Sequence, residues 1–124
     1  MAADHVCAKE CPLCKAGLTL EQLCESPEVE SLGLMLDEED PKFSLFFFNH
    51  LPTRCQTTFT VPIETFASLI QEPVPGECKA FTEACEQHCV SLDDHEACKQ
   101  ECSNAPYRRL LAEVLLPRRK VRAA

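Results

Sequence analysis

The chain reads as a mixed α+β protein, and three observations predict it. Short aromatic and β-branched runs bounded by turn residues fill the first half. Glu72-Pro73-Val74-Pro75-Gly76 then breaks regular structure. Beyond it, apolar residues and cysteines recur at helical spacing. The expectation is a small ribbon-like antiparallel sheet with short helices over residues 1–72, a cysteine-rich helical lobe over 77–117, and a basic tail, 118–124.

Within the first half, Leu18 to Cys24 predicts a short helix with Thr19 as its N-cap and Pro27 beyond its end. Val29 to Leu36 alternates weakly and predicts a strand, followed by an acidic turn from Asp37 to Lys42. Phe43 to Asn49 (FSLFFFN) carries the strongest strand signal, and Thr57 to Val61 supplies a third strand. Pro62 then opens a short helix over Ile63 to Ile70, where its missing N–H costs little.

In the second half, Cys78, Phe81, Cys85 and Cys89 share one face of a helix predicted over Glu77 to Val90. Ser91 to Asp94 forms the turn. Asp93 caps a second helix with Glu96 three residues on, and that helix carries Cys98 and Cys102 on one face to Asn104. The two would make a helical hairpin. Pro106 begins a last helix that Pro117 stops, and its Leu110, Leu111, Val114 and Leu115 make a stripe for the core.

Ten cysteines in 124 residues, about 8% of the chain, imply a scaffold held by sulfur chemistry. The first residues lack the basic start and apolar run of a secretory leader, and no stretch approaches the ~20 apolar residues that span a bilayer. The expectation is a cytoplasmic protein away from membranes, where thiols stay reduced and clustered cysteines bind metal. Net charge is −8, with +5 in residues 106–124 and −13 in the rest. Such an acidic body repels phosphate backbones, so a protein partner is expected rather than nucleic acid. With three glycines and no Gly-x-Ser-x-Gly or His-Glu-x-x-His, nucleotide loops and ordinary hydrolytic sites are absent, and the balance leans away from an enzyme.

Two cysteine constellations carry the chemistry. Cys11-Pro-Leu-Cys14 offers two thiolates from one tight turn, and His50 and Cys55 follow a strand end. Three sulfurs and one imidazole suit zinc, which makes the first half zinc-ribbon-like. Cys7-x3-Cys11-x2-Cys14 is similar to the cluster spacing of radical S-adenosylmethionine enzymes, but 124 residues cannot supply their large barrel. The second constellation is Cys85, Cys89, Cys98 and Cys102, two i, i+4 pairs that antiparallel helices would bring to one compact square. Cys78 and His88 stand nearby as alternative ligands. Twin Cys-x3-Cys pairs resemble those of oxidised hairpins in mitochondrial import chaperones, although the eight residues between the pairs are few for that pattern. Zinc is the expected cofactor at both places, in a small interaction or regulatory module with a mainly structural metal. An iron–sulfur carrier, a thiol redox sensor, Cu(I) sequestration and a disulfide-stapled helical protein are the alternatives.

Overall fold

The computed structural model describes residues 7–36, 44–52, 55–76, 78, 82, 83, 85 and 87–116. It is a mixed α+β structure with two small antiparallel sheets. β1 (Cys7–Glu10) and β2 (Gly17–Thr19) form a hairpin, and β3 (Val29–Leu36), β4 (Ser44–His50) and β5 (Thr58–Pro62) form a three-stranded meander in that order. The predicted helix start at Thr19 is present: its hydroxyl accepts from the Gln22 N–H at 3.1 Å, and the Gln22 side chain accepts from the Thr19 N–H at 2.8 Å. This reciprocal box starts α1 (Leu20–Glu25). Leu18, within the span expected for this helix, pairs in β2 instead.

β4 shows why the FSLFFFN signal was strong. Its side chains alternate strictly between core and surface, so Ser44, Phe46, Phe48 and His50 all face inward. Phe46 meets Phe66 edge-on at 5.0 Å, and Phe48 stacks on Phe59 at 5.6 Å. Phe66 comes from a 3₁₀ segment, Ile63–Leu69, where a short helix was expected. The acidic turn expected over Asp37 to Lys42 lies outside the described residues.

The register of β3 slips between Ser31 and Gly33, a bulge next to the irregular chain that packs over it. Gly33 has φ +152°, and a Cβ there would come within 2.4 Å of the Leu92 carbonyl oxygen. Gly33→Ala is therefore expected to lower stability by roughly 1–3 kcal/mol, read as a shifted urea midpoint at unchanged slope.

The second half departs from expectation. Of the described residues between Leu69 and Ala105, only His88–Val90 make a helical turn, so the helix expected over 93–104 is not formed; residues 77, 79–81, 84 and 86 of the helix expected over 77–90 lie outside the described residues. The physical reason lies in the last helix, α2 (Ala105–Leu110), which runs on through a wider π turn at Leu111–Leu115. Arg108 is fully buried and donates to the carbonyls of Glu96 (2.7 Å), His88 (2.9 Å) and Asp94 (2.6 Å). Arg109 donates to the Cys98 carbonyl at 3.0 Å. Glu96 and Cys98 are carbonyls that a 93–104 helix would spend on its own ladder; here arginine side chains take them. Leu110, Leu111 and Leu115 are buried as the stripe predicted, in one apolar cluster with Phe46, Phe48 and Val61 of the sheet. Asn104, just before α2, donates to the Ser44 hydroxyl at 2.8 Å and ties the helix start to β4.

Candidate metal centre

The Cys11 to Cys14 turn sits at the tip of the β1–β2 hairpin. The Cys11 N–H donates to the Ala16 carbonyl at 2.9 Å and the Lys15 N–H to the Cys11 carbonyl at 3.0 Å, with Lys15 in the left-handed region at φ 67°. The second pair comes from the β4–β5 connection. His50 ends the inward-facing row of β4, and its N–H donates to the Thr57 carbonyl at 2.7 Å. Cys55 lies in the turn closed by its own N–H to the Pro52 carbonyl at 2.8 Å, and Gln56 after it again takes positive φ, 55°. Each ligand pair is thus delivered by a tight loop that ends in a left-handed residue.

The four ligand atoms of Cys11, Cys14, His50 and Cys55 lie within 4.8 Å of one another, a Cys₃His group able to hold a metal ion. The Sγ atoms of Cys11 and Cys55 are 3.6 Å apart, and the Cys14 Sγ is 3.5 Å from the His50 Nδ1. A tetrahedral ion with metal–sulfur bonds of about 2.3 Å and a metal–nitrogen bond of about 2.05 Å would place its ligands about 3.8 and 3.6 Å apart. The two observed separations are edges of such a tetrahedron. A disulfide would need sulfurs at about 2.05 Å, and none joins the ten cysteines.

Electrostatics divides the two buried sulfurs. Burial opposes ionisation of Cys11, but the N–H groups of Cys14 and Leu13 and the side chains of Cys55 and His50 outweigh it and bring the thiol down to about 6. Burial pushes the Cys55 thiol up despite the Thr57 N–H, and the neighbouring Cys11 and Cys14 sulfurs push it further. At neutral pH one proton therefore remains between Cys11 and Cys55, held by Cys55. An ion entering the site must displace it. Affinity for Zn²⁺ is expected to rise with pH by at least about tenfold per unit near neutrality, and to fall on acidification, as measured by chelator competition.

The structure brings together the first predicted set and not the second. Cys85 and Cys98 are half-buried and Cys89 and Cys102 buried. Among the described residues, which include all four, no three of those sulfurs lie within 4.8 Å of one another. Sequence reasoning missed Arg108, whose guanidinium lies 3.8 Å from the Cys89 sulfur. Its only sequence signal was a basic residue in an apolar helix. Cys24, in α1, is buried in the core. No helix of the described residues is long and apolar enough to cross a membrane. Comparison with known proteins finds no family whose model matches, no similar curated protein and no similar solved structure.

Proposed function

We propose that this is a small cytoplasmic zinc protein whose Cys11, Cys14, His50 and Cys55 hold a structural ion, and whose metal-bearing tips form an interaction surface for a protein partner. The convergence of those four ligand atoms carries the reading. Three sulfurs and one ring nitrogen match zinc's preference, and four protein ligands fill a tetrahedron, leaving no place for a catalytic water. The metal then clamps the β1–β2 hairpin to the end of β4, joining two sheets that share no strand pairing.

The partner surface is supported by what the two loops display. Leu13, between the cysteines of the first pair, is 60% exposed, and Leu51, directly after His50, is 42% exposed. Two apolar side chains held outward by rigid metal loops suit contact with an apolar patch on another protein.

Elemental analysis of the chain purified without added metal tests the zinc reading. Zinc in a colourless protein is the expected result; stoichiometric iron with visible absorption, or several copper ions per chain, would overturn it. A paired Leu13→Glu and Leu51→Glu variant should keep its metal and its fold while losing the proteins that co-purify with the wild-type chain.

A further inference from the structure

We propose that the Cys₃His centre is also a redox switch: a hydroperoxide oxidises Cys14, Cys11 closes a disulfide onto it, and the ion is released. This rests on reading Cys11, Cys14, His50 and Cys55 as a metal site, and its test separates the two.

The four ligands meet solvent unevenly. Cys11 is 0% exposed, His50 3% and Cys55 9%, whereas Cys14 is exposed. An oxidant dissolved in water therefore meets Cys14 before the other two sulfurs. Peroxide oxidises cysteine where the sulfur has thiolate character and solvent can reach it, and a sulfur that ligates a metal does so as the thiolate. Cys7 is exposed as well, but it is not one of the four.

A second sulfur stands within reach. A sulfenic acid condenses to a disulfide when another thiol can attack it, and otherwise climbs to irreversible acids. The ligand atoms lie within 4.8 Å of one another, so Cys11 needs to close less than about 3 Å to reach the disulfide separation of about 2.05 Å. The Cys55 sulfur is 3.6 Å from that of Cys11, but both are buried, and the bridge must include the sulfur that was oxidised. Cys11 shares with Cys14 the turn closed by the Ala16 carbonyl and the Lys15 N–H. That pair stays together when the hold on the other loop is lost.

The chemistry balances in two steps. The Cys14 sulfur attacks the peroxide: an S–O bond forms, the O–O bond breaks, and the departing oxygen takes a proton from solvent to leave as water or an alcohol. The Cys11 sulfur then attacks Cys14: an S–S bond forms, the S–O bond breaks, and the oxygen leaves as water with a second solvent proton. Two thiolates have lost two electrons, and the peroxide has gained them. His50 and Cys55 alone fill only half a tetrahedron, so the ion is no longer held. The β1–β2 hairpin then loses its tie to the end of β4, with which it shares no strand pairing. Leu13, between the bridged cysteines, parts from Leu51, and oxidation withdraws the apolar pair from a partner.

The test loads the full, reduced chain with Zn²⁺ and adds hydrogen peroxide, reading metal release with a coloured chelator and bridges by peptide mass spectrometry. The expected result is release of about one ion per chain, with Cys11 and Cys14 joined and their peptide lighter by two hydrogens. Dithiothreitol with fresh Zn²⁺ should restore the bound metal, and Cys7→Ser should leave release unchanged. Three results would overturn the switch and leave the metal reading intact. They are zinc retained while peroxide oxidises Cys7, release that depends on Cys7, and a bridge to Cys55, which would keep the two loops tied. Release with Cys14 carried to a sulfinic or sulfonic acid and no bridge would overturn it too. A reduced chain that takes up no Zn²⁺ would overturn the metal reading itself, before any peroxide is added.

Discussion

Replacing Cys14 by serine is expected to remove the ion of the first centre and unfold the β1–β2 hairpin from the sheet. Cys14 is solvent-exposed, so the change opens no cavity and disturbs no packing. Beyond its 3.5 Å contact with the His50 Nδ1, whatever is lost is therefore lost with the proposed ion. Thiolate-bound structural zinc contributes on the order of 10–16 kcal/mol in small folds, comparable with the whole stability of a domain, roughly 5–15 kcal/mol. A paired Cys11→Ser and Cys14→Ser variant should lose about one ion and collapse the thermal transition of the first half. Loss of hydrogen-exchange protection should be greatest in residues 7–19, which the ion would hold to the sheet, and spread from there into the core that the sheet shares with α2. A variant that kept its zinc and its melting temperature would show that these sulfurs hold no structural ion.

The second large effect is expected at Arg108. Arg108→Met keeps most of the volume but leaves the carbonyls of His88, Asp94 and Glu96 without their donor. It also removes the cation that faces the Asp94 carboxylate at 3.5 Å. Stranded, partly buried acceptors and a broken charge network together cost about 2–4 kcal/mol. Urea denaturation should show the loss, and protease should cut first within residues 87–104. Arg108→Lys is expected to recover little, because one ammonium cannot reach three carbonyls that a planar fork serves at once. Burial alone would raise the Asp94 carboxyl, but His88, the Glu96 N–H and Arg108 together bring it below its ordinary value. Its contribution is thus complete above the usual carboxylate range and is lost as pH falls through the lowered value. The Met variant should lose part of that acid dependence.

Much of the first half was legible in local pattern. Thr19 with Gln22 three residues on specifies a helix start through hydrogen bonds spanning a single turn. The alternation from Ser44 to His50 needs only the two-residue period of a strand, and it placed His50 on the core face beside Phe59. Cys11 and Cys14 could be paired from spacing because one turn separates them. The hairpin of β1 and β2 was not legible, since Gly17-Leu18-Thr19 is too short to show a period. Cys98 and Cys102 carried a helical spacing over residues 93–104 that did not become a helix. Periodicity records which residues can share a face, but it does not register that Arg108 and Arg109 will claim the carbonyls a helix would use.

The sequence by itself determined the ligand types, the tight turn holding Cys11 and Cys14, and the strand that carries the phenylalanines, because these depend on residues a few positions apart. Only the tertiary structure decided that His50 and Cys55 meet Cys11 at ligand distance, and that residues 87–104 run as irregular chain around a buried guanidinium. Those outcomes join residues far apart in sequence, where competition for backbone carbonyls and burial of charge outweigh local propensity.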